Sequence, residues 1–202
     1  DRKTRVGVVG LGAMGFGMAA TLAKAGFVVT GYDLDAAGQG GGKAGFGFVS
    51  EPGELFVTSE RIVFSLPTAQ DVAAMLEAHA TVVGTQADGR VILIDTSTSE
   101  PDVSRALARR LADAGHGFLD APVSGGPAGA ASGKLTMMIG GDEADLAEAR
   151  TVVEALAAKI LHVGPSGAGN VAKLVNNLLV AAHMLTTQEA LKLAVGAGVA
   201  LA

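Results

Sequence analysis

Short runs of branched apolar residues recur along the chain, each closed by glycine or a polar turn, and longer stretches with apolar positions at helical spacing lie between them. The runs predict strands over residues 6–10, 27–32, 62–66, 91–95, 117–120, 135–139 and 160–163. The intervening periodicity predicts helices over 13–24, 69–80, 101–114 and 143–158. In Ser99-Glu100-Pro101-Asp102 a capping serine, an early proline and an acid three positions after the cap predict a helix start at Pro101. Alternation of this kind gives an α/β fold with a mostly parallel sheet and helices on both faces. Right-handed crossovers then leave a doubly wound sheet as the simplest topology.

Two segments depart from the alternation. Residues 38–47, where a second crossover helix is due, hold so many glycines that a loop is predicted instead, each glycine costing a helix about 1 kcal/mol relative to alanine. From residue 164 onward the charge disappears: 164–202 carry only Lys173, Glu189 and Lys192. After the breakers Gly164, Pro165, Gly167 and Gly169, residues 170–195 contain neither proline nor glycine and predict one long helix leaving the first domain. The domains are accordingly 1–163 and 164–202. Leu178, Leu179, Val180, Met184 and Leu185 would be stranded on a solvated helix, so a second helical domain or a subunit interface, as in a homo-oligomer, is expected around it.

Composition narrows the function. With 15 Lys and Arg against 20 Asp and Glu, the chain carries −5 and is not built to track nucleic acid or anionic lipid, which leaves a small molecule as the expected partner. The absence of cysteine excludes disulfides, a thiol nucleophile and Cys-based zinc sites, and is compatible with a reducing compartment such as the cytoplasm. No apolar stretch approaches the roughly 20 residues of a membrane span, and the charged start Asp1–Arg5, running straight into the first strand pattern, is not expected to be a signal peptide.

Gly10-Leu11-Gly12-Ala13-Met14-Gly15 follows the first strand and opens the first helix, so small residues stand where a pyrophosphate would meet a helix N-terminus and its positive dipole end. Asp33 ends the second strand eighteen residues after Gly15, about where an acid takes the ribose hydroxyls. Together they predict a dinucleotide-binding, Rossmann-type domain. The carboxylate of Asp33 repels a 2′-phosphate, and no arginine follows it, so NAD is preferred to NADP. Leu66-Pro67-Thr68 and Thr96-Ser97-Thr98 also lie at carboxyl ends of strands, where ligands bind, although helix capping explains such hydroxyls equally well.

Asp120-Ala121-Pro122-Val123-Ser124-Gly125-Gly126-Pro127 is either a plain loop or an anion cradle, in which two glycines expose backbone N–H donors and Ser124 adds a hydroxyl for a substrate carboxylate. Lys173 and Asn177 are four apart and share a helical face, with Asn176 about 100° away. A lysine in the apolar first half of this helix either snorkels to solvent or sits in a cleft with a lowered pKa, where it can move a proton during alcohol oxidation. His79, His116, His162 and His183 share no spacing and read as surface or packing residues. Zinc-hydrolase, serine-hydrolase and nucleotide-triphosphatase motifs are absent, and no metal site is expected.

The glycine turn 10–15, the loop 120–126, the turn Gly140-Gly141-Asp142 and Gly167-Ala168-Gly169-Asn170-Val171-Ala172-Lys173-Leu174-Val175-Asn176-Asn177 together resemble the β-hydroxyacid dehydrogenase family, which includes 3-hydroxyisobutyrate dehydrogenase-like enzymes. The resemblance implies Lys173 as general acid/base, with Asn177 orienting the substrate and the lysine. It implies Ser124, Gly125 and Gly126 as the carboxylate holders, and Leu66, Pro67 and Thr98 along the nicotinamide side of the cofactor site. The related decarboxylating 6-phosphogluconate enzymes typically carry His where Asn176 stands, which favours the branch acting on small hydroxy acids. Family members continue past the position of Ala202 into an all-helical domain, so this chain corresponds to the part before it. The implied activity is NAD-dependent interconversion of a short 3-hydroxy acid and its semialdehyde or oxo acid. The rival reading is a catalytically silent dinucleotide-binding module used for oligomerisation; an imine reductase is a third, disfavoured by the lysine.

Overall fold

The computed structural model describes residues 4–35, 45–80, 83 and 89–200. Its elements run β1 (Arg5–Val9), α1 (Ala13–Lys24), β2 (Val28–Tyr32), β3 (Gly47–Phe48), α2 (Pro52–Thr58), β4 (Arg61–Phe64), α3 (Ala69–Ala78) and β5 (Ile92–Asp95). They continue with α4 (Pro101–Asp113), β6 (Gly117–Asp120), β7 (Val123–Ser124), α5 (Gly126–Ser132), β8 (Leu135–Gly140), α6 (Glu143–Leu156), β9 (Ala157–Gly164) and α7 (Ala168–Gly196).

The described strands form a single sheet in the order β3-β2-β1-β4-β5-β6-β8-β7, with β9 pairing β8. From β3 to β6 every pairing is parallel, whereas β8 runs antiparallel to β6 and β7. The predicted doubly wound α/β sheet is therefore present, with a reversal at one end. The chain winds outward in both directions from β1, and the switch point between β1 and β4 opens a crevice at the strands' carboxyl ends, the ligand position of such sheets.

Burial explains why the inner strands read as unbroken apolar runs. Both faces of β5 and β6 are covered, so every residue of each is buried. One core packs α1, α5 and α6 against the sheet through Val8, Met18, Leu22, Ile94 and Leu146, and the other packs α2, α3 and α4 through Phe56, Phe64, Val72, Leu93 and Leu107. Each such side chain contributes about 1.5–3 kcal/mol by leaving water.

Four described elements lie outside the predicted set: β3, α2, β7 and α5. Helix α2 is short, with Pro52 in its first turn and Leu55 and Phe56 buried. Helix α5 is built from Gly, Ala, Pro and Ser, so it has no apolar periodicity. It is held by close approach to α1, where a Cβ on Gly17 would lie 3.0 Å from Ala131 N and 3.3 Å from Ala130 Cβ and the Thr21 hydroxyl donates to Ala130 O at 2.8 Å. The predicted helix over 143–158 stops earlier, at Leu156, because Ala157 already pairs with Leu135 of β8. Helix α4 starts at Pro101 as expected, but Ser99 does not cap it: Glu100 holds the cap position and the Ser99 hydroxyl is buried without a hydrogen bond. Of the glycine-rich segment 38–47, residues 38–44 lie outside the described residues.

Helix α7 is long, as predicted, and two residues earlier in starting. Only Gly169 and Asn170 of it are buried. After Lys173 the described residues leave most of it uncovered, so Leu178, Met184, Leu185 and Leu193 stand 60–77% exposed. No described helix is long and apolar enough to cross a membrane.

Candidate active site

The three glycines after β1 act in three ways. Gly10 adopts φ 87°, and a Cβ there would lie 2.4 Å from Ser65 O, so the chain turns tightly against the end of β4. A Cβ on Gly15 would lie 1.8 Å from Gly10 O, which seats α1 directly on the turn. Gly12 differs: a Cβ there would meet nothing within 4 Å. Gly12 is also the N-cap of α1 and makes no side-chain cap bond, so the helix presents its first-turn amides to open space.

Asp33 closes this turn from β2. Its carboxylate accepts the Leu11 N–H at 2.5 Å and the Asp35 N–H at 2.9 Å. Leu11 itself is buried, so its contribution to the turn is through the backbone. Gly10, Gly12, Ala13, Met14, Asp33, Leu66 and Pro67 all line a groove of about 850 Å³ along the crevice. The Asp33 carboxylate and the uncapped first-turn amides of α1 thus stand side by side in one groove, an arrangement whose chemistry fits the ribose hydroxyls and pyrophosphate of a dinucleotide.

A second cavity, of about 410 Å³, shares Met14, Ser65 and Leu66 with the groove and is completed by Thr98, Ser124, Gly125, Gly126 and Lys173. Gly125 and Gly126 have φ 129° and 62°, backbone that side chains disfavour, where the chain passes from β7 into α5. Lys173 is half-buried and, among the described residues, has no ion-pair partner; burial holds its pKa below the ordinary 10.5. Sequence positions 98, 124–126 and 173, far apart in the chain, therefore meet beside the groove.

Asn177 does not line this cavity. It follows Lys173 by one turn but is exposed, its side-chain oxygen within 3.5 Å of Asn176 Nδ2. The hydroxyl run after β5 serves the backbone rather than a helix cap: Thr96 donates to Phe64 O at 2.6 Å, and Ser97 Oγ accepts the Leu66 N–H at 3.2 Å. Thr68, by contrast, does cap α3, in a reciprocal capping box with Asp71. Ser65, which lines both spaces, escaped the sequence reading although it stands directly before Leu66 at the end of β4. Three histidines take packing or backbone partners: His79 stacks on Phe56, His116 accepts the Val91 N–H, and His162 lies 2.9 Å from Gly141 O.

Over residues 5–164 the sequence matches the family described as the NAD binding domain of 6-phosphogluconate dehydrogenase. The chain belongs to this family. Within it, the chain is 37% identical over 198 residues to the mitochondrial 3-hydroxyisobutyrate dehydrogenase of Mus musculus, covering 97% of this chain and 58% of that protein. It is 38% identical over 195 residues to the NAD-dependent L-serine dehydrogenase of Pseudomonas aeruginosa, covering 96% of this chain and 65% of that one. Among solved structures, the Mycobacterium tuberculosis 3-hydroxyisobutyrate dehydrogenase with L-serine superposes with a TM-score of 0.92 at 34% identity, covering 98% of this chain and 67% of that one. The chain spans 58% to 65% of the length of these two curated relatives. The relatives bear out the β-hydroxyacid dehydrogenase resemblance, and NAD is the cofactor that the family's description carries.

Proposed function

We propose that this chain is the cofactor-binding and proton-transferring part of an NAD-dependent dehydrogenase that interconverts a short 3-hydroxy acid and its semialdehyde or oxo acid. The observation that carries the reading is the single cavity shared by Lys173, Thr98 and Ser124–Gly126, opening on the Met14–Leu66 end of the dinucleotide groove. We read residues 1–163 as the NAD-binding domain and 164–202 as the helix that leads out of it.

NAD, when bound, supplies the hydride acceptor. Ser124, Gly125 and Gly126 hold the substrate carboxylate through the hydroxyl and backbone N–H groups. The neutral amine of Lys173 takes the proton from the substrate hydroxyl as the alcohol is oxidised; in the reverse direction its ammonium returns that proton to the carbonyl oxygen. Burial of Lys173 supports this role, because it raises the neutral fraction near physiological pH. Met14 and Leu66, apolar and common to both spaces, exclude water where hydride would move. Asp33 selects NAD over NADP through its charge. The exposed apolar side of α7 supports burial in a homo-oligomer or against further helical structure.

The test is a panel of short 2- and 3-hydroxy acids offered with NAD and with NADP, followed by the absorbance of reduced nicotinamide. Turnover of 3-hydroxy acids with NAD supports the reading. NAD binding without reduction by any acid favours the silent binding module.

A further inference from the structure

We propose that Asp120 is a positioning residue for Lys173: its buried carboxylate pins the first turn of α7 and so sets the lysine opposite the carboxylate-holding residues 124–126. The inference rests on the reading of Lys173 as the proton carrier and names the device that places it.

Asp120 ends β6 and is fully buried. One of its oxygens accepts the Gly167 N–H at 2.7 Å and the other the Asn170 N–H at 2.9 Å. These are amides at the start of α7, which have no carbonyl partner within the helix and lie at the positive end of its dipole. Asn170, also fully buried, extends the clamp: its Oδ1 accepts the Ser99 N–H and its Nδ2 donates to Ser104 Oγ, each at 2.9 Å. Between these two residues a Cβ on Gly169 would lie 2.4 Å from Asp120 O and 2.5 Å from Met138 O, so the helix start is pressed onto the ends of β6 and β8.

Nothing else described fixes α7 as firmly, since no residue after Asn170 is buried. Lys173 follows Asn170 by three positions, within one turn, and therefore inherits its place from this anchor. Asp120 is also the first residue of the segment leading through β7 to Gly126. A single carboxylate thus joins the strand that leads into the substrate-holding segment to the helix that carries the base.

Asp120→Asn keeps the shape but has one acceptor oxygen, and its amide confronts an N–H. Two readouts test the consequence, the first independent of turnover. Competitive acetylation of Lys173 across pH, read by peptide mass spectrometry, follows the titration of its amine. Asp120→Asn should move the labelling midpoint up toward that of an ordinary lysine, while NAD affinity, held by β1, α1 and β2, stays at the parent level. In steady state, kcat should fall by about tenfold to a hundredfold, as displacement of a reacting group by about an ångström does, with the hydroxy-acid KM changing less. Ser104→Ala, which removes only the hydroxyl holding Asn170, should move both readouts in the same direction by less, and carries the test if Asp120→Asn loses its fold. Parent-like labelling and kcat in a folded Asp120→Asn or in Ser104→Ala would overturn the proposal. Unchanged turnover in Lys173→Ala would instead remove the acid/base reading and leave the labelling midpoint to decide whether Asp120 places the amine.

Discussion

The carboxylate of Asp33 accepts the backbone N–H of Leu11 at 2.5 Å, which makes the acid ending β2 and the glycine turn ending β1 one unit. The same side chain that would take ribose hydroxyls therefore also shapes the turn beneath the pyrophosphate. Asp33→Ala should weaken NAD binding by about tenfold or more, the loss of one hydrogen bond to a charged group. It should weaken NADP binding less, since removing the charge also removes repulsion of the 2′-phosphate. Titration of nicotinamide fluorescence with both reduced coenzymes measures the two affinities; an unchanged ratio would contradict the role given to Asp33.

Gly12 and Gly15 separate folding from binding. A methyl at Gly12 meets no protein atom, whereas one at Gly15 collides with the Gly10 carbonyl. Thermal unfolding of Gly12→Ala should accordingly match the parent while its NAD affinity drops, because the methyl occupies space above the helix amides. Gly15→Ala should be destabilised by about 3 kcal/mol or more. Equal losses of stability in the two variants would mean that the open space at Gly12 is not a ligand site.

Lys173→Ala should retain NAD binding and lose turnover by about a hundredfold to ten-thousandfold, the usual worth of a positioned acid/base. The pH dependence has a definite sign. Alcohol oxidation needs the neutral amine, so its rate rises with pH and levels off above the pKa of Lys173, which burial places below 10.5. Carbonyl reduction needs the ammonium and falls over the same interval. Initial rates in both directions across pH, with parent and variant, check this; a limb that survives in Lys173→Ala belongs to another group.

The residues that announced themselves in the sequence are those whose chemistry depends on spacing. Gly10, Gly12, Asp33, Ser124 and Gly125 lie where strands give way to turns, and Gly15 and Gly126 in the first turns of the helices that follow, the places that the alternation of strand and helix predicts for them. Helix α5 was invisible because small residues bury surface by close approach, as at Gly17 and Ala130, and leave no apolar period to read. The roles of Ser97 and Asn170 were equally hidden: both bond across the fold, to Leu66 and to Ser99 and Ser104, and no local spacing encodes a contact between distant segments. In the sequence Asp120 stands only at the start of a loop, and its hold on α7 comes from the same kind of long-range pairing.

Asp95 and Asp120 are register partners on β5 and β6, both fully buried. Burial pushes the Asp95 carboxyl up to about 6, bonds from Ser97 oppose this, and the neighbouring charge of Asp120 adds to it. Its second oxygen has no hydrogen-bond partner. Because the folded pKa lies above the ordinary 3.8, the folded state holds the proton more tightly than the unfolded chain. Stability from this group is present at low pH and lost as pH rises from about 4 to about 6, a change of about 3 kcal/mol. Burial raises the pKa of Asp120 as well, so the two act in the same direction. Asp95→Asn should remove the share of Asp95, flattening the fall of unfolding free energy with pH. Urea unfolding at intervals between pH 4 and 7 measures it, and an identical slope in the variant would assign the dependence elsewhere.

Leu178 and Leu185 are seven residues apart on α7, hence on one face, and stand 70% and 60% exposed. Water contact with two leucines in register costs about 1.5–3 kcal/mol for each side chain that could be buried. A chain carrying this face should therefore associate, and sedimentation velocity should find a size distribution that shifts upward with concentration. Leu178→Glu combined with Leu185→Glu should weaken association by about a hundredfold or more, since burying either charge costs more than burying leucine gains. The pair lies beyond the turn that carries Lys173, so NAD affinity should remain at the parent value and report an intact fold. A parent chain that sediments as a monomer at every concentration would show that α7 is not covered by a second copy, and would leave further helical structure as its cover.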